Sequence, residues 1–223
     1  KSGVIEMRDT WWGKVIDFFG GELLVNNSWS GSRVTKLPDT EKFFPSGCSN
    51  ERTRRLHIND IKPDVIIIYL GTNDFANGVK IFNDSFETVS FIGEFPETFA
   101  DAYELMILNI RNGYPEAEIW GCTLNTTYMT ANLSFEFPHN YARIHIEEYN
   151  RIIVNIALSQ NCRVIDLYDC NMPYDSIDGT HPNQSGMNTL ATMIIRSIGG
   201  KEAEEFIDCR NDQHDYEIGR ASC

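Results

Sequence analysis

The sequence predicts an α/β fold, a parallel sheet covered by helices on both faces. Three observations carry that expectation. Segments with helical periodicity alternate with short apolar segments along the chain. The apolar segments, such as "VIIIYL" at Val65 to Leu70 and "AEIWGCTL" at Ala117 to Leu124, are continuously hydrophobic rather than alternating. A strand of that kind is buried on both faces, as in a parallel sheet. The chain has 223 residues, 42% of them hydrophobic, enough for one such domain with a substantial core.

Each element has its own signal. Asp9 or Thr10 can cap a helix that runs to about Phe19, with Trp12, Val15, Ile16 and Phe19 on one face. Gly20-Gly21 stops it, and "ELLVNN" reads as a short strand from Glu22 to Asn26. Asn50 to Ile58 reads as a short basic helix. Pro63-Asp64 introduces the strand Val65 to Leu70. Thr98 to Asn112 carries Phe99, Tyr103, Met106, Ile107 and Ile110 at helical spacing. After the strand at Ala117, a long helix is expected from Asn140 to Gln160, with Ile144, Tyr149, Ile152, Ile153 and Ile156 inward. "CRVIDLY" is another strand, and Met187, Leu190, Ile194 and Ile198 define a last helix. Residues 1–198 are expected to form the domain, and the polar stretch 199–223 an extension without periodicity.

Composition excludes several functions. The formal net charge is -13, which repels phosphate backbones and argues against nucleic acid as a partner. No apolar run is long enough to span a membrane, and no leader is visible after Lys1. The six cysteines form no CxxC pair, and the histidines form no HExxH, so no metal site is expected. Cys122 and Cys162 lie in or beside apolar strands and read as buried free thiols. A reducing cytoplasm is the expected compartment, with export after removal of a leader left open. GxGxxG and GxxxxGK loops are absent, which disfavours a nucleotide binder.

Open parallel sheets bind ligands beyond the carboxyl ends of their strands. Three such loops carry polar residues suited to acyl transfer. "NNSWSGS" follows the strand at Leu23 to Val25, and Ser28 or Gly31 can offer a backbone N–H there. "GTND" follows the strand at Val65, where Asn73 offers a neutral donor suited to a developing oxyanion. Asp74 is expected to brace that loop. "DGTHPN" places Asp178 and His181 within one turn, so that the carboxylate can take one imidazole nitrogen and leave the other free. Taken singly, each loop has a plainer reading as a turn or cap.

Together, in this order and spacing, "TWWG", "NNSWSGS", "YLGTND" and "DGTHPN" resemble the SGNH (GDSL-type) hydrolase superfamily, in its bacterial esterase branch. The resemblance spans about Asp9 to Ile198. It implies a three-layer α/β/α, flavodoxin-like fold. It also implies that Asn73 is the oxyanion-hole side chain, His181 the general base and Asp178 its orienting carboxylate. The second oxyanion donor of the family is a backbone N–H, usually of Gly; Ser28 stands at that position. The family nucleophile is the Ser of a Gly-Asp-Ser motif after the first strand, upstream of the "TWWG" helix. This chain contains no Gly-Asp-Ser. Asp84-Ser85 and Asp175-Ser176 are the nearest imitations, and neither follows an apolar strand. The first strand and its serine are therefore expected outside these residues, leaving a slot in the sheet between Glu22 to Val25 and Val65 to Leu70.

The expected function is a serine-type ester hydrolase that removes short acyl groups from a carbohydrate or small alcohol ester, without metal or organic cofactor. The alternative is a non-catalytic carbohydrate- or ligand-binding module on the same fold. The phenylalanines of 75–99 are expected to be mostly packing.

Overall fold

A computed structural model describes residues 6–36, 45–82, 91–92, 95–127, 136–200 and 203. Ser85, Phe86, Cys209 and Cys223 lie outside the described residues. A 3-10 turn at Met7–Asp9 leads into α1, Trp11–Phe19. Thr10 caps α1, its Oγ1 accepting from Gly13 N at 3.2 Å, and Gly20 ends it at φ 69. The packed face differs from the expected one: Trp11, Val15 and Phe18 meet the core, while Phe19 is 45% exposed. Trp11 stands edge-on to Tyr69, with ring centroids 6.3 Å apart, and this contact sets the rotation of the helix.

The sheet order is β1 (Val65–Ile68), β4 (Glu118–Cys122), β5 (Arg163–Ile165), all parallel. Val65 pairs with Glu118 and Trp120 with Arg163. Between β1 and β4 lie α3 (Thr72–Ala76), a small antiparallel pair β2 (Phe91–Ile92) and β3 (Phe95–Pro96), and α4 (Phe99–Gly113). Thr98 caps α4 by accepting from Asp101 N at 3.3 Å. The last helix, α6, spans 184–200.

Two cores lie on opposite faces of the sheet, so the architecture is three-layer α/β/α. On one face Ile66, Ile68 and Ile119 pack against α4 and against α5, Ile146–Ser159, through Ile107, Ile110, Tyr149 and Ile153. On the other face Trp120, Cys122 and Ile165 pack against α1 and α6 through Val15, Leu190 and Ile194. Successive strand residues point to opposite faces, which is why these strands are apolar beyond Glu118 and Arg163 at their starts. Burying one such Ile or Leu side chain is worth about 1.5–3 kcal/mol. Cys122 and Cys162 are free and buried, as expected. Phe75 and Phe99 are fully buried in the first core, which makes them packing residues.

Three sequence expectations are corrected. Glu22 to Asn26 is not a strand; Leu23 to Val25 are half-buried and form no ladder. β1 pairs only with β4, and among the described residues no strand lies along its other edge, so the segment has no ladder to join. The basic helix is a single turn, α2 (Asn50–Thr53). The Leu56 N–H is taken by the Tyr114 hydroxyl at 2.8 Å, and Ile58 and Ile61 close their own bridge. The long helix starts at Ile146, not Asn140. The Asn140 side chain accepts from the backbone N–H of Ala142 and of Ile144, both at 3.0 Å, closing a loop instead of a helical turn.

Among the described residues no helix is long and apolar enough to cross a membrane.

Candidate active site

The carboxyl end of β1 leads through Gly71, at φ 128, into α3. That conformation suits glycine, and a Cβ there would press on the Phe99 ring at 3.2 Å. The sharp exit brings Asn73 and Asp74 back over the segment 32–35. Asn73 Nδ2 donates to Ser32 O at 3.0 Å, which uses one of its two N–H groups. Asp74 is fully buried and accepts from Val34 N at 2.7 Å, Thr35 N at 3.0 Å and Thr35 Oγ1 at 2.7 Å. Burial pushes its carboxyl up, while those hydrogen bonds pull the other way. Asp74 is thus the loop brace that its position suggested.

The loop 26–32 has a second brace that sequence reading missed. The buried Arg52 guanidinium donates to Asn27 O at 2.8 Å, Ser32 Oγ at 3.1 Å and Pro45 O at 3.2 Å. Asn27 Nδ2 returns a bond to Arg52 O at 2.8 Å. Nothing in a run of basic residues marks one of them as buried. Within the loop, the Ser28 N–H donates to Asn26 Oδ1 at 3.0 Å, so in this conformation it is engaged locally.

The "DGTHPN" segment is anchored to the end of β4. Tyr174 forms a parallel bridge with Thr127, and Tyr174 N donates to Thr126 O at 3.2 Å. Thr127 Oγ1 donates to Gly179 O at 2.7 Å, and the Tyr174 hydroxyl donates to Thr180 O at 2.8 Å. These bonds hold the loop at the carboxyl side of the sheet, the side from which Asn73 also emerges.

Asp178 and His181 meet as the spacing implied. Asp178 Oδ2 lies 2.7 Å from His181 Nδ1, and Asp178 Oδ1 accepts from the His181 backbone N–H at 2.9 Å. That backbone bond, helped by the side-chain bond, holds the Asp178 carboxyl well below the ordinary aspartate range, and desolvation opposes it only in part. Among the described residues Nε2 has no hydrogen-bond partner. The imidazole is 64% exposed, so Nε2 is available to a proton donor. Ser176 does not supply one: it is buried, and its Oγ accepts from Gly179 N at 2.9 Å.

Asp178 stabilises the fold in its ionised form, so its contribution is complete above the ordinary aspartate pKa of about 3.9 and is lost as pH falls toward the depressed folded value. The stability gap between the protein and Asp178→Asn, read by urea denaturation, is expected to shrink as pH falls below about 4. A gap that stayed unchanged as pH fell from about 4 to about 2 would contradict the pairing.

The comparison with protein families decides the lineage. The family profile "GDSL-like Lipase/Acylhydrolase" matches residues 1–198. The chain belongs to this family. Among solved structures, candidate GDSL-like lipases from Bacteroides ovatus and Bacteroides uniformis each share 23% identity at TM-score 0.58. They cover 86% and 88% of this chain, and it covers 78% of each of them. Est24, a carbohydrate acetylesterase from Sinorhizobium meliloti, matches at TM-score 0.58 and 16% identity, covering 86% of this chain and 85% of its own. At these identities the likeness is one of fold. Comparison with curated proteins gives no match.

The GDSL-like frame draws attention to a glycine that motif reading passed over. Gly186 lies in the first turn of α6, where a Cβ would stand 2.0 Å from Asp175 O. Asp175 begins the segment that carries Asp178 and His181. A helical glycine gives up about 1 kcal/mol of propensity relative to alanine, and that cost was the available signal. Gly186→Ala must push the two backbones apart. The expected result is a loss of about 1–3 kcal/mol in stability together with a displaced Asp178–His181 loop. Thermal unfolding and the His181 ring resonances read the two effects; an unshifted ring would show that the loop is held independently of α6.

Proposed function

We propose that this GDSL-like protein is a serine-type ester hydrolase in which His181 is the general base and Asp178 fixes its tautomer. The observation that carries the reading is the 2.7 Å Asp178–His181 pair with Nε2 left open. A serine hydroxyl gives its proton to Nε2 as it attacks the acyl carbonyl, and Nε2 then protonates the departing alcohol. The oxyanion is held by the second N–H of Asn73 and by a backbone N–H of the loop 26–32. The Ser28 N–H joins once it leaves the Asn26 side chain. In this reading the serine sits on a strand along the edge of β1 that no described strand occupies, where it would offer Leu23 to Val25 a ladder. The preferred substrate is a short-chain ester of a carbohydrate or small alcohol.

Activity on p-nitrophenyl acetate tests this. The 223 residues alone are expected to be nearly inactive, and a form extended upstream of Lys1 by a strand bearing Gly-Asp-Ser active through that serine. Activity of the shorter chain that vanished in Ser85→Ala or Ser176→Ala would overturn the placement of the nucleophile. Inactivity of both forms would favour the binding module.

A further inference from the structure

A cleft of about 610 Å³ opens where the segments following β4 and β5 meet the first turn of α5. Its volume is that of a small-ligand site. The Asp178–His181 pair does not line it, yet the two are joined. Thr127 forms part of its wall and donates its hydroxyl to Gly179 O, next to Asp178. An occupant of the cleft would therefore rest on the support of the catalytic loop.

The lining defines the occupant. Phe137 and Tyr168 supply aromatic surface, and both are partly buried. Glu147 and Asp169 supply carboxylates, and Asn171 an amide. No lysine or arginine is among the described lining residues. Among these residues an anion would meet two carboxylates and no cation, which disfavours phosphate, sulfate and uronate groups. A purely apolar ligand would leave the acids and amides without partners. A small cation is the remaining competitor. Glu147 stands 3.7 Å from His145 Nδ1, and the aromatic and amide groups beside the carboxylates suit a neutral polyol better than a bare ion. A neutral pyranose meets every requirement: its hydroxyls donate to the carboxylates and exchange bonds with the amide, and its C–H face lies on an aromatic ring.

We propose that this cleft is the subsite for the alcohol moiety of the substrate, and that the moiety is a neutral saccharide. The substrate role rests on the hydrolase reading above; the binding itself does not. The test therefore measures binding without turnover. Methyl β-D-glucopyranoside, glucuronate and choline are titrated separately into ¹⁵N-labelled protein, and amide shifts are followed. The expected result is saturable binding of the glycoside alone, with the largest shifts at Thr126, Thr127, Glu147 and Asn171. In Tyr168→Ala and Asn171→Ala the affinity is expected to fall at least about tenfold, with the remaining spectrum of the folded protein retained. Shift mapping on the unaltered protein keeps the test decisive where a variant fails to fold. Binding of choline or glucuronate without the glycoside, shifts centred elsewhere, or no saturable shift would each overturn the proposal. Glycoside binding at the cleft in a protein without esterase activity in either form would uphold the saccharide site and sink the hydrolase reading instead.

Discussion

On the proposed reading, His181→Ala is expected to abolish ester hydrolysis in a form that carries the serine, and Asp178→Asn to lower kcat by about 10⁴. The imidazole has no substitute: among the described residues no other base is bonded to an orienting carboxylate in this loop, and Ser176 is buried. The effect of Asp178→Asn comes from the tautomer. Oδ2 now faces Nδ1, and because a carboxylate can only accept, the neutral imidazole carries its proton on Nδ1 and its lone pair on Nε2. An amide NH2 at that place would donate to Nδ1 and drive the proton to Nε2. The Oδ1 bond to the His181 backbone can survive the change, which keeps the loop folded and confines the loss to catalysis. Steady-state rates on a short ester measure both variants. A rate for His181→Ala within a few-fold of the parent would remove the serine-hydrolase reading.

Asn73→Ala is expected to lower kcat by about 10²–10³ while KM stays nearly constant. One amide N–H of Asn73 is spent on Ser32 O, and the proposed reading gives the other to the substrate oxygen. Charge develops on that oxygen only in the transition state, so the ground-state complex loses little. Because the Ser32 bond is lost as well, loop 26–32 relies in the variant on Asp74 and Arg52, whose bonds to Val34, Thr35, Asn27 and Ser32 are unaffected. A raised KM at unchanged kcat would instead mark Asn73 as a ground-state contact.

Local signals were enough for much of this protein. Continuous apolar runs at 65–70 and 117–124 specified buried parallel strands, because burial on both faces leaves no polar position. Asp178 and His181 were legible as a pair because three residues span one turn, a relation the chain sets without help from the rest of the molecule. Asp74 was legible as a brace from its place beside Asn73 in the tight exit of a strand.

Tertiary structure decided the rest. Whether Leu23 to Val25 form a strand depends on a neighbour for their backbone N–H and C=O groups, and no local sequence supplies one. The start of α5 was misjudged because Asn140 fits a helical pattern, yet its side chain satisfies the N–H groups of Ala142 and Ile144 instead. Arg52 reads as an ordinary surface cation until the loop 26–32 folds over it. Gly186 shows its purpose only when Asp175 O is brought against α6. The cleft beside Thr127 joins residues from three segments far apart in the chain. Spacing along the chain fixes which groups can meet within one turn, whereas long-range contacts fix which backbone groups are satisfied, which charges are buried and where an open volume remains.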